Sequence, residues 1–192
     1  MYYNSYVYKF IDQLVQNLSS ETEHYLFIKH YNPVPLTEES LVQAIPKDSD
    51  ILLLCHEFSN VQMQTTYEPF LIWIRNLYFS FYQNVSPEDF IDACGVYPLH
   101  KSIFVSYLKN EQCIREEDLL LSEMDYERKR MTKSILSILS YLAASHPIML
   151  FLNHAHCAQK STLDLLNALV EHPPIKNFGC IVCYNEVSPT MP

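Results

Sequence analysis

The chain has 192 residues, of which 48% are hydrophobic and 18% charged, and its net charge is −9. That length holds one domain with a substantial core or two very small ones, and the composition excludes a disordered chain. The acidic balance argues against a sequence-independent grip on nucleic-acid phosphates, and the longest wholly apolar runs, such as 148–152, fall far short of a bilayer span.

From the N-terminus, MYYNSYVYKF lacks a basic segment followed by an apolar one, so no signal peptide is read. Residues 6–18 carry apolar side chains at helical spacing (Tyr6, Phe10, Leu14, Leu18). A short strand is expected over 25–28, halted by Pro33 and Pro35. LTEESLVQAI then restarts a helix, with Thr37 as N-cap and Ser40 where a capping box usually has Glu. The apolar run 51–54 reads as a strand covered on both faces. An aromatic helix begins near Pro69, and its helical spacing assigns its tyrosines and phenylalanines to a core. SPEDFIDAC opens another helix behind Ser86. A shorter helical or irregular stretch follows over 96–108, then a polar connector over 109–130 that contains the carboxylate run Glu116, Glu117 and Asp118. Met131, Ile135, Ile138, Leu139 and Leu142 mark an amphipathic helix. Strands are expected at 148–152 and 180–184, with a helix over 161–170 between them.

Strands that alternate with helices imply an α/β fold, a three-layer sandwich with a mainly parallel sheet, as a single domain over 1–192. Ligands of such sheets bind at the carboxyl ends of the strands, so the polar residues after Ile28, Leu152 and Tyr184 are expected to share one edge.

Those strand ends carry a resemblance. LFLNHAHCAQKSTLDLL is similar to the Walker B region of the AAA and STAND signal-transduction ATPases: a hydrophobic strand, two acids, x-His-Trp-Ala-Asp, then Ser/Thr-Leu and a helix. His156, Ala158 and the Thr162–Leu163 pair keep the pattern. Asn153 and His154 replace the two acids, Cys157 the tryptophan and Gln159 the later aspartate. TTYEPFLIWIRNL resembles that family's Pro-Tyr-x-Pro-Phe stretch, and YERKRMTKSILSILSYLAASHP its Glu-Arg-rich helix and proline. CIVCYNEV resembles the sensor-1 strand, with Asn185 where arginine is common. The resemblance spans nearly the whole chain in order. It implies a P-loop-type domain, incomplete at its C-terminus, that forms the N-terminal part of a longer bacterial regulator.

The same alignment implies that the nucleotide site is dead. A phosphate loop needs Gly-x-x-x-x-Gly-Lys-Ser/Thr, because its backbone N–H groups must converge on the phosphates. KHYNPVPLTEE has no glycine, and Pro33 and Pro35 remove two backbone donors. Leu36 stands where the lysine belongs; only Thr37 survives. Asn153 is a weaker ligand than a carboxylate for Mg²⁺. No catalytic residue and no bound cofactor are therefore expected, ATP and Mg²⁺ entering only if this is a divergent ATPase that works through Thr37, Asn153 and His154.

Two further constellations have bland readings. His154, His156 and Cys157, with Cys55 or His56 as a fourth group, fit no standard zinc spacing, so no metal is expected. Cys180-x-x-Cys183 lies in a strand-like run, where residues three apart face opposite ways, so both read as core. The six cysteines together read as reduced thiols of a cytoplasmic protein.

The reading from sequence is a non-catalytic pseudo-ATPase module that contacts other domains of its own chain or a protein partner, with no direct nucleic-acid or membrane contact. Its output domain would be a DNA-binding module or a second-messenger enzyme such as a diguanylate cyclase. A third reading is a binding module for another small ligand, with His30, Asn32, His56, Asn153, His154, His156 and Asn185 as its polar rim.

Overall fold

The computed structural model describes residues 3–18, 25–30, 36–59, 67–110, 124–171 and 175–185. The elements are α1 (Tyr3–Gln16), β1 (Tyr25–His30), α2 (Glu38–Ala44), β2 (Leu52–Glu57), α3 (Glu68–Phe81), α4 (Pro87–Ala93), α5 (Lys101–Asn110), α6 (Met124–Ser145), β3 (Ile148–Asn153), α7 (Lys160–Glu171) and β4 (Phe178–Asn185). Two short 3₁₀ turns, Pro98–His100 and Ala155–Cys157, precede α5 and follow β3. All four expected strands form. They pair in the order β1-β4-β3-β2, every neighbour parallel, so the chain is an α/β protein.

The chain gathers into two compact units: Met1–Asn60 with Ala143–Ala158 and Pro173–Pro192, and Val61–Leu142 with Gln159–His172. The first holds the sheet. Alternation along the strands sends Leu26 and Ile28, Leu53 and Cys55, Met149 and Phe151, and Ile181 and Cys183 to one face. There they pack with Ile11, Leu14, Val15 and Leu18 at α1 and with Leu36 and Leu41 at α2. Ile148, Leu150 and Leu152, which point the other way, are also buried, which is why β3 reads as an unbroken apolar run. Cys180 and Cys183 are both buried within β4, and burial pushes each thiol up to about 12. Both are inert core groups.

In the second unit, α3 buries Phe70, Leu71, Trp73, Ile74, Leu77 and Tyr78, as its helical spacing implied. Tyr78 and Tyr82 pack on Phe90 of α4, with ring centroids 5.0 and 5.1 Å away, and Tyr141 of α6 completes the cluster at 5.9 Å from Phe90. Tyr67, wholly buried before α3, adopts a left-handed backbone (φ 58°) and donates from its hydroxyl to the Arg128 carbonyl at 3.3 Å. Met131, Ile135, Ile138, Leu139 and Leu142 are all buried. The stretch 109–130, expected as a polar connector, is helical at both ends: α5 runs to Asn110 and α6 starts at Met124, while 111–123 lies outside the described residues. Charge patterning hid the start of α6, because Glu127 is a buried carboxylate met both by Arg130 on its own helix and by His100, far off in sequence. Among the described residues, no helix is long and apolar enough to cross a membrane.

Each glycine occupies a position that other residues fill poorly. Gly95 follows α4 with φ +68°, a left-handed turn that a Cβ strains even though open space surrounds it. At Gly179 a Cβ would meet Leu18 Cδ1 at 2.8 Å, Leu14 Cδ2 at 2.9 Å and Met149 Cε at 3.0 Å. The close seat of α1 on β4 thus depends on a missing side chain. Gly179→Val should lower stability by about 1–3 kcal/mol through overpacking, and Gly95→Ala by roughly 1 kcal/mol through backbone strain. Urea denaturation checks both; an unchanged midpoint for Gly179→Val would contradict the close seating.

Candidate functional site

Because β1, β4 and β3 are adjacent and parallel, their carboxyl ends share one edge, as the sequence implied. His30 registers with Asn185 and Leu152 with Val182, so the ends of β1 and β4 and the Asn153–His154 pair after β3 lie along it. The order β1-β4-β3-β2 sets the first strand beside the last, which makes the β1–β4 boundary the place where strand sequence is broken. Crevices that take ligands in open parallel sheets form at such boundaries.

The segment that should cradle phosphate is described from Leu36 onward; Asn32, Pro33 and Pro35 lie outside the described residues. Leu36 is 5% exposed and belongs to the core cluster under α1 and α2. Thr37 caps α2: its Oγ1 accepts from the Ser40 N–H at 3.3 Å, and its own N–H donates to Ser40 Oγ at 3.0 Å. Ser40 therefore closes the capping box in the role usually held by Glu. Glu38 and Glu39 put two negative charges on the first turn. They complement the helix dipole that would otherwise attract an anion. The same Glu38, after burial itself, helps push the Cys55 thiol up to about 12.

At the end of β3, Asn153 is held by both of its carbonyls. Its backbone oxygen accepts from the Phe58 N–H at 3.0 Å, and its side-chain Oδ1 accepts from the His154 N–H at 2.9 Å. His154 takes a left-handed backbone (φ 54°), a conformation uncommon outside glycine and concentrated at turns and ligand sites. Its Nε2 lies 3.4 Å from Glu57 Oε1, and its ring centroid 5.8 Å from that of His156. Glu57 registers opposite Asn153 across the β2–β3 pair. Sequence reading missed it, since the acid follows a different strand from the Walker-like segment. Burial, then the neighbouring His154, lowers the His156 pKa below 6.5, so its imidazole is neutral at pH 7. Among the described residues no three His, Cys, Asp or Glu side chains converge as metal ligands. Beside β3 the described side chains at this edge thus include the imidazoles of His154 and His156, the engaged amide of Asn153 and the exposed carboxylate of Glu57.

The second unit contains a polar constellation that the sequence did not signal. His100, 2% exposed, has Nδ1 at 3.0 Å from Ser134 Oγ and Nε2 at 3.1 Å from Glu127 Oε2. Glu127 Oε1 accepts from Arg130 at 2.5 Å, and the Tyr97 N–H donates to Ser134 Oγ at 3.4 Å. Serine, histidine and glutamate in this order resemble a nucleophile relay, but Ser134 is 2% exposed, so no substrate reaches its oxygen. The relay is a structural tie between the 97–100 segment and α6. Glu127 and Arg130 pair three residues apart on α6, where the sequence reading had placed both in a polar connector.

In comparison with known proteins, no family model matches the chain, and no curated protein matches it.

Two outcomes follow. The His100 hydrogen bond, ahead of the Arg130 contacts, holds the Glu127 carboxyl below 4.5. A depressed carboxyl stabilises the fold above the unfolded pKa and loses that contribution as pH falls through the folded one. Glu127→Gln should therefore cost about 1–3 kcal/mol at pH 7, and the deficit should shrink in acid; a deficit unchanged down to pH 3 would contradict the charged pairing. His156 titrates in a separate window: below pH 6.5 the unfolded chain takes up a proton that the folded site resists, so stability falls with pH there. His156→Gln should flatten the fall in stability that sets in as pH drops below 6.5, as read by thermal melts from neutral pH into acid. A profile identical to the parent's would remove His156 as its source.

Proposed function

We propose that the chain is a non-catalytic pseudo-ATPase module, a P-loop-type three-layer domain that serves as a regulatory or interaction part of a larger cytoplasmic signalling or transcription-regulating protein of bacteria. The observation that carries this reading is the start of α2. Leu36, aligned with the phosphate-binding lysine, points its side chain into the core, and Thr37 is engaged in a capping box with Ser40. Two acids follow where a triphosphate would need positive charge. The parallel sheet, the shared edge of β1, β4 and β3, and the Asn153–His154 pair after β3 support the alignment on which the reading rests. The module acts through contacts with other domains of its chain or with a protein partner, and needs no cofactor to fold.

A thermal melt with millimolar ATP and Mg²⁺ tests this. A ligand that binds only the folded state raises stability by RT ln(1 + [L]/Kd). Each charged contact to a phosphate or metal contributes about 1.5–3 kcal/mol, and several are missing together. The expected result is an unchanged melting temperature. A reproducible rise of several degrees, lost on Thr37→Ala or Asn153→Ala, would make the chain a divergent ATPase instead.

A further inference from the structure

We infer that the exposed face formed by Tyr97, Tyr126, Lys129, Arg130 and Lys133 is a docking site for an acidic peptide segment of a protein partner. The inference deepens the interaction-module reading and names the chemistry of the partner.

Residues 128–133 read RKRMTK, which places four of the chain's 13 basic residues within six positions of a protein whose net charge is −9. Three of the four, Lys129, Arg130 and Lys133, lie on the patch, where the one carboxylate met by Arg130 is buried. Tyr126, Lys129, Arg130 and Lys133 follow helical spacing along α6, and both lysines are exposed. Among the described residues neither lysine forms an ion pair. Arg130 is held in place on three sides. Its guanidinium lies 4.9 Å from the Tyr97 ring centroid and 4.3 Å from that of Tyr126, and it donates to Glu127 at 2.5 Å. Glu127 is in turn anchored by His100 in the buried relay. An arginine fixed this way keeps further N–H donors for a carboxylate and gives up little side-chain freedom on binding. Tyr97 and Tyr126 are 37% and 57% exposed. Tyrosine and arginine are the residue types that dominate binding energy at protein interfaces, and peripheral lysines steer an oppositely charged partner.

Charge complementarity selects an acidic occupant, and size selects a peptide. From Tyr126 to Lys133 the stripe covers about 10 Å of helix, room for a few carboxylates of one short segment. A nucleic-acid backbone would span more of the surface and meet repulsion from the acidic remainder of the chain.

The test is fluorescence anisotropy on the 192-residue chain, using a short fluorescein-labelled peptide rich in Glu and Leu. The same peptide with Gln in place of Glu, an oligothymidylate and phosphatidylserine vesicles serve as comparisons. The acidic peptide should bind, its Gln counterpart should bind at least about tenfold more weakly, and Tyr126→Ala should weaken binding about fivefold. The double variant Lys129→Glu, Lys133→Glu should abolish binding while its melting temperature stays that of the parent. Should that variant be less stable, Lys129→Gln with Lys133→Gln gives the same reading without reversing charge. No binding of the acidic peptide, equal binding of the Gln peptide, indifference to the lysine changes, or tighter binding to the oligothymidylate or the vesicles would each overturn the inference. An ATP-dependent melting shift would leave this result standing and sink only the pseudo-ATPase reading.

Discussion

Parallel pairing of β1, β4, β3 and β2 is the constraint on which the rest of the first unit depends. Parallel strands need a crossover between every pair, so each strand must start at one edge and end at the other. Polar residues that are far apart in sequence are thereby delivered to a single line. Leu52 donates to the Pro147 carbonyl at 2.8 Å at the opening of the β2–β3 pair, and Phe58 donates to Asn153 at 3.0 Å at its close. Those two bonds set the position of Asn153, and the left-handed turn at His154 then directs the chain away from the sheet. The strand edge is fixed by backbone geometry before any side chain acts.

Much of this was legible because burial writes itself into residue type. β3 appears as a short apolar run because it is buried on both faces and tolerates no polar alternation, whereas β2, expected to be covered on both faces, is only half-buried and β1 exposes Phe27. Thr37 and Ser86 announced their helices because an N-cap demands a short oxygen-bearing side chain, and both accept the expected N–H. Glu57 and the His100 relay were not legible. Glu57 reaches Asn153 only through strand pairing, and His100 meets a glutamate and a serine on α6, which lie 27 and 34 positions away. Nothing local distinguishes such residues from solvated ones. The reach of α6 back to Met124 was hidden for the same reason, since a run of charges reads as a connector until its buried partners are known.

The two polar constellations differ in what their surroundings permit. At the strand edge, His154 and Glu57 are largely open to water, so their pairing is weak and both remain available to a ligand. In the relay, His100, Glu127 and Ser134 are closed off, and each polar atom is met by another. A buried network of that kind is stiff, because losing one member strands the rest without solvent. Its stiffness is transmitted to Arg130, a charged member that reaches the surface. A charge held by buried partners is therefore presented outward between two tyrosines, while His154 at the strand edge is 41% exposed.

The scarcity of glycine joins these observations. A phosphate cradle brings backbone close to a ligand over several consecutive residues, and positive φ or absent side chains make that approach possible. This chain has two glycines, and packing and turn geometry claim both: one lets α1 approach β4, the other ends α4. Among the described residues three further left-handed positions are held by Tyr67, His154 and Asn177, and each side chain meets a partner distant in sequence. Tyr67 bonds to the Arg128 carbonyl, His154 faces Glu57, and Asn177 donates to the Ala143 carbonyl at 3.2 Å. Among the described residues, each non-glycine left-handed position thus has a side-chain partner, while Gly95 turns in open space.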